Sequence, residues 1–255
     1  MTDRSVARRP GRARAVLGAI AVHRGYPGLW LLAMLLTVLA LAAAHIGHMT
    51  AGRPADWYWH LGNDRGYGEL LGYLQAGWGA IFLIIAWWRM REAVLLAWAV
   101  VLGYYLLDDS MRFHEQYGWA LARATGWYDR WGNSGGDLGE IAYMALVGLV
   151  LAAVVAVAHA FSGQPGRRVS WHLVMLFLVL VVVGIGVDVV HALIVHSAVL
   201  DLVFALLEEG GELLVLSVIV AYLLKVAHEA APAAERVSTA AARRPSVEGA
   251  RSPQH

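Results

Sequence analysis

Cysteine is absent from the 255 residues, and charge is scarce, with Asp, Glu, Lys and Arg making up 15% of the chain. Without thiols there is no disulfide, no thiolate metal ligand, no iron–sulfur cluster and no catalytic cysteine. Any metal must therefore be held by imidazole, carboxylate, backbone or water. Soluble domains carry about 25% charged residues, so the low charge points away from an aqueous fold. The net charge of +1 provides no bulk field for nucleic acid, and no nucleic-acid partner is expected. The sequence also lacks a Walker-type glycine-rich loop, a GxSxG elbow, an HExxH pair and zinc-finger spacing. Gly184-x-Gly186 follows no strand and reads as helix packing.

What remains is apolar. Hydrophobic residues make up 59% of the chain and mean hydropathy is +0.55. They come in blocks of bilayer length, and a helix needs roughly 20 such residues to cross the hydrocarbon core. Six spans are expected, at Leu29–His48, Glu69–Arg89, Ala93–Asp109, Leu138–Phe161, Leu173–His196 and Leu202–Lys225. The fold class is then all-α, a polytopic membrane helical bundle. Residues 1–28 form a basic N-terminal segment, with an interfacial helix over Arg14–Tyr26. Residues 29–227 form the transmembrane domain, and residues 228–255 a disordered tail. The third span is expected to continue as helix through Met111–Ala122, which has no Gly or Pro before Gly118.

Arginine and lysine set the orientation. Arg4, Arg8, Arg9, Arg12, Arg14 and Arg24 precede the first span. Arg89 and Arg91 lie in the turn after the second, Arg167 and Arg168 in the turn after the fourth, and Lys225 at the end of the sixth. With six spans all of these fall on one side, which places both termini in the cytoplasm of a cell with an inner membrane. A basic start followed by an apolar stretch and Ala40–Ala44 also fits a cleavable signal peptide. The long basic region and the full-length first span favour retention.

The polar residues then sort by side. His45, His48, Glu69, Asp108, Asp109, Asp137, Glu140, Asp188, His191 and His196 all fall toward the extracytoplasmic ends of their spans. So do Glu208, Glu209 and Glu212, within Leu206–Leu214 (LLEEGGELL). Carboxylates inside a span are costly and face a bundle interior or an aqueous cavity. Glu208 and Glu212 share a helix face, as do Asp188 and His191. Gly210 and Gly211 remove bulk, so that a neighbouring helix can approach. Gly132–Gly136 (GNSGG) reads as a flexible loop able to act as a lid.

Structural roles stand beside functional ones. Asp108, Arg112 and Glu115 fit an interfacial salt-bridge ladder, with Ser110 and His114 on another stripe. His45 and His48 fit a polar span end. Glu69, Asp137 and Glu140 fit helix N-termini, where acids complement the dipole. Asp188 with His191 fits a buried hydrogen-bonded pair. The three glutamates would lie outside the last span if it began after Glu212.

Imidazole and carboxylate ligands at these spacings, drawn from facing helices, are how metal sites are built inside bundles. The expected ligands of a zinc, manganese or iron ion are His114, Asp188, His191, Glu208, Glu209 and Glu212. Asp108, Asp109 and Glu115 are the candidate catalytic carboxylates. Such a site could activate water against a lipid-borne ester or amide, or another small-molecule substrate. The alternatives are proton- or cation-coupled transport by a homodimer, haem held by His45 with His191 or His114, and a subunit that binds a basic partner.

Ser110-x-x-x-His114 resembles the Ser-x-x-x-His element of alkaline ceramidase-type membrane hydrolases, which implies a multi-span zinc amidase. The last span carries Glu where that family has a His pair. A broader set of elements is similar to a group of uncharacterised bacterial multi-pass membrane proteins. It comprises Asp64-Arg65-Gly66-Tyr67, Asp108-Asp109-x-x-x-x-His114-Glu115, Gly139-Glu140, Asp188-x-x-His191 and Glu208-Glu209-Gly210-Gly211-Glu212. That resemblance implies a six-span architecture and no particular activity.

Overall fold

A computed structural model describes residues 25–194 and 197–230. The helices are α1 (Gly25–Ala51), α2 (Tyr67–Met90), α3 (Ala93–Met111), α4 (Phe113–Ala124), α5 (Trp127–Trp131), α6 (Asn133–Phe161), α7 (Gln164–Ile194) and α8 (Ala198–Glu229). A 3₁₀ turn, Trp57–Trp59, lies between α1 and α2. No strand occurs among the described residues. The long helices α1, α2, α3, α6, α7 and α8 are each apolar enough to cross a bilayer, so the chain is a multi-pass membrane bundle. The expected interfacial helix falls almost wholly outside the described residues, and the tail from residue 231 falls wholly outside them.

The bundle is built around α8. In its most apolar stretch 61% of residues are buried, against 11% in α1 and 6% in α6. Helix α8 packs on α1, α2 and α7, while α3 packs on α2, α6 and α7. The core between them is aliphatic, with Leu83, Leu95, Leu102, Leu173, Leu216 and Leu223 fully enclosed. The exposed faces of α1 and α6 remain apolar, as helices facing lipid must.

Polar side chains inside the bundle are tied to one another. Gln75 Nε2 donates to Ser217 Oγ at 2.9 Å, and Ser217 donates on to the Leu213 carbonyl at 2.7 Å. Trp98 Nε1 donates to Ser170 Oγ at 3.0 Å. In hydrocarbon an unmade hydrogen bond has no water to replace it.

The start of α1 and the end of α8 meet, with the Tyr26 and His228 rings 6.5 Å apart. Arg89, at the end of α2, donates to the Ala227 carbonyl at 3.0 Å. The same end carries the α6–α7 turn. There Glu92 accepts from Gly163 N at 2.7 Å, and Arg167 caps the last carbonyls of α6, at His159 and Ala160. The basic turns therefore gather at one end of the bundle, with both ends of the described helical domain.

Three sequence expectations change. Helix α7 begins at Gln164 rather than Leu173, because its first turn is anchored through Arg167. The helix expected to run from α3 through Ala122 breaks at Arg112, which takes a left-handed φ of 56°. No glycine relieves that conformation. Arg112 is held there by its side chain, which reaches Glu115 at 2.5 Å and Asp64 at 3.1 Å. Finally, Gly132–Gly136 is not a lid. Gly132 caps α6, and Gly135 and Gly136 are buried in its first turn against the Trp127 backbone and the Trp119 ring.

The absence of native cysteine makes the orientation directly testable. A membrane-impermeant maleimide applied to intact cells is expected to label Asn133→Cys and to leave Ser252→Cys unlabelled until the membrane is opened. The reverse pattern would invert the assignment.

Candidate functional site

The α1–α2 connection, the α3–α4 break and the glutamates of α8 meet at the end of the bundle opposite the basic turns. Ser197 caps α8, accepting from Leu200 N at 3.4 Å. From there the helix runs unbroken, so Glu208, Glu209 and Glu212 lie inside it, roughly 15–20 Å from its start at 1.5 Å per residue. The three glutamates are therefore helical, and a last helix beginning only after Glu212 is excluded.

These glutamates open into a cavity of about 330 Å³. Among the described residues its carboxylates are Asp64, Glu69, Asp109, Glu140, Glu208, Glu209 and Glu212, and its one imidazole is His114. Among the described residues no lysine or arginine lines it. Tyr105, Met144, Leu61, Leu213 and Leu216 complete the wall, and Leu216 is the deepest lining residue of α8.

Local packing explains each placement. Gly184 of α7 has no side chain, and a Cβ there would collide with Glu212 Oε1, so the glutamate lies against the α7 backbone. Tyr105 donates to Glu212 Oε2 at 3.5 Å. A Cβ on Gly211 would come within 2.6 Å of Val183, which confirms the close helix approach there. Gly210 meets nothing comparable. Glu69 accepts the Arg65 backbone N–H at the start of α2, so it caps that helix and lines the cavity as well.

Helix α4 folds back over this end because Gly118 and Gly139 let it lie directly on α6. A Cβ at Gly139 would collide with the Gly118 carbonyl, and one at Gly118 would sit 2.5 Å from the Glu140 Cα. Trp119 Nε1 donates to Glu140 Oε1 at 2.5 Å across the same contact. The fold-back brings His114 Nδ1 to 3.0 Å from Asp108 Oδ2, while Tyr104 donates to Asp108 Oδ1 at 2.9 Å. The hydrogen bond to Asp108 raises the His114 pKa above the usual histidine value, against the opposing effect of burial.

The expected ladder of Asp108, Arg112 and Glu115 is thereby split. Asp108 pairs with His114, and Arg112 with Glu115 and Asp64. Neither Asp108 nor Glu115 lines the cavity, whereas Asp109 and His114 do. Ser110 donates weakly to the Leu107 carbonyl at 3.4 Å and stands apart from the cavity lining. Asp137 is exposed. The side chains of Asp188 and His191, and all of His196, lie outside the described residues. Among the described residues no three His or carboxylate side chains converge in a geometry that could hold a metal ion.

His45 and His48 are not a wet span end. His45 is fully buried, accepts the Leu61 N–H at Nδ1 and packs edge-on against His60 with ring centroids 4.7 Å apart. His48 Nδ1 lies 2.7 Å from the Pro54 carbonyl. Burial lowers the His60 pKa, with the Asp201 charge opposing it. This imidazole cluster is separate from His114, which engages Asp108. Tyr104 and Tyr105 were missed as site residues in sequence. Their only local signal was a hydroxyl one helical turn before each member of the Asp108–Asp109 pair.

The family model described as Domain of unknown function (DUF8692) matches residues 28–226, and the chain belongs to that family. No curated protein and no solved structure matches it. The match agrees with the resemblance to uncharacterised membrane proteins, and nothing in it supports the ceramidase-type one.

Two outcomes follow from this geometry. Gly139→Ala is expected to push α4 off α6 at a cost of about 1–3 kcal/mol, seen as a lower Tm of the detergent-solubilised protein. The raised His114 pKa means that the Asp108 contact stabilises the fold fully below the unfolded value of 6.5. That contribution is lost as pH rises through the folded value. The Tm difference between wild type and Asp108→Asn should therefore be larger near pH 6 than near pH 9. A difference independent of pH would assign the whole effect to the Tyr104 hydrogen bond.

Proposed function

We propose that this membrane protein binds a cation in its acidic cavity and exchanges it against protons. The carrying observation is the lining itself, seven carboxylates and one imidazole around about 330 Å³ with no lysine or arginine among the described lining residues. Arg112 offsets Asp64 at the rim, and the deeper carboxylates are half-buried among apolar helices. Negative charge at that depth is compensated by a bound cation or by protons. A site that passes between those two states takes up cations as it releases protons.

The carboxylate and imidazole donors suit zinc, manganese or iron as well as a protonated amine. Convergence decides between them. A transition metal needs its ligands within about 2–2.5 Å of one point, and no trio of described residues is so arranged. The observed spread favours a hydrated ion or an organic cation. A directly ligated metal would need Asp188 and His191 to complete the set. Hydrolysis through Asp108, Asp109 and Glu115 is less favoured, because only Asp109 of the three faces the cavity.

Calorimetric titration of the purified chain with zinc, manganese, sodium and a linear diamine, in buffers of different ionisation enthalpy, tests this reading. At least one cation is expected to bind with proton release, and Glu209→Gln should weaken it by about tenfold or more. Equal binding by wild type and Glu209→Gln, or no binding of any cation, would overturn it.

A further inference from the structure

The basic end of the bundle holds a second cavity, of about 610 Å³, between the first turns of α7 and the last turns of α8. Its polar lining is Arg168, His172, Tyr222, Lys225, Glu229 and Gln164. Arg168 and His172 are four residues apart on α7, and share a face. Tyr222, Lys225 and Glu229, at spacings of three and four, share the opposing face of α8. Two permanent cations and an imidazole thus surround one carboxylate. The charge of this cavity is opposite to that of the acidic one.

Its floor is specific. His172 and Tyr222 are 7% and 3% exposed, and His172 Nδ1 lies 2.7 Å from the Tyr222 hydroxyl. With the hydroxyl donating to Nδ1, a neutral imidazole carries its proton on Nε2. The ring edge left to the cavity is then a hydrogen-bond donor, alongside the guanidinium of Arg168 and the ammonium of Lys225. Donors of this kind, cationic and convergent, fit the oxygens of a phosphate group.

The rest of the wall is apolar, formed by Met90, Val169 and Val226. Trp171, one residue before His172, is exposed on the outer surface of the same helix, as an indole at a membrane interface would be. Cationic donors beside apolar surface, at the interfacial end of a helical bundle, match a ligand with a charged head and a hydrocarbon tail.

We infer that the cavity between Arg168, His172, Tyr222 and Lys225 is a binding site for a phosphate-bearing anion, the headgroup of an anionic phospholipid. Arginine and lysine placement assigns this end to the cytoplasmic leaflet. The site shares no lining residue with the acidic cavity at the other end.

The test is native mass spectrometry of the full chain in detergent, equilibrated with phosphatidic acid or phosphatidylcholine. Phosphatidic acid is expected to be retained over phosphatidylcholine. That preference should fall about tenfold or more in Arg168→Gln/Lys225→Gln, with helicity by circular dichroism unchanged. Arg168→Gln alone alters only an exposed side chain and should lower retention with no risk to the fold. Competition by inorganic phosphate at millimolar concentration would identify a free phosphate as the occupant. Indifference to it would identify the lipid headgroup. No preference for phosphatidic acid over phosphatidylcholine, or undiminished retention in Arg168→Gln and in the double variant, would overturn the proposal.

Discussion

A carboxylate inside a hydrocarbon layer is tolerated only where protein or water surrounds it, and the rest of this structure follows from that constraint. Three glutamates on α8 require that helix to be the most enclosed in the bundle, and it is. Enclosure requires neighbours that approach closely, which Gly184 and Gly211 permit. Enclosure at the acidic end also requires a cover, and α4 supplies it by lying on α6 through Gly118 and Gly139. The cover in turn needs the chain to reverse after α3. Arg112 makes that reversal in a left-handed conformation, held by Glu115 and Asp64.

The same constraint separates charge by end. Acidic groups collect where α4 and the α1–α2 connection shield them, and basic groups collect at the opposite turns. There they cap helix C-termini or reach across to neighbouring carbonyls, as Arg167 and Arg89 do. Between the two ends polar side chains pair across helix contacts, although Trp30 Nε1 and Gln75 Oε1 have no partner. Gln75 with Ser217 and Trp98 with Ser170 join helices without lining either cavity.

Much of this was legible in sequence, because span length, arginine placement and the side taken by each acid are properties of linear order. The gathering of Glu208, Glu209, Glu212, Asp109 and His114 at one end followed from topology alone. The rest depended on tertiary contacts that leave no local mark. The break at Arg112 carries no glycine or proline, so helix propensity favoured continuation. The burial of His45 depends on a loop that returns to place His60 and Leu61 over it. Asp108 leaves Arg112 for His114 only because the helix breaks between them. The glycines at 132, 135 and 136 have the composition of a loop, but Gly132 takes the positive φ that caps α6, and the missing side chains of Gly135 and Gly136 serve close packing against Trp127 and Trp119.

The depth of the acidic cavity bears on what the protein does with its charge. The cavity reaches Leu216 on α8, and the next residue, Ser217, is closed off by Gln75 with no measurable exposure of either. A cation entering from the acidic end therefore meets an aliphatic layer and the closed Gln75–Ser217 contact, where Gln75 Oε1 is an acceptor without a partner. Moving it further would carry charge through a layer in which that single carbonyl is the acceptor on offer, a penalty of several kcal/mol. For the cation exchange proposed above, binding and release at one face is the lower-energy cycle. A route through the bundle would require α2 and α8 to separate at the Gln75–Ser217 contact.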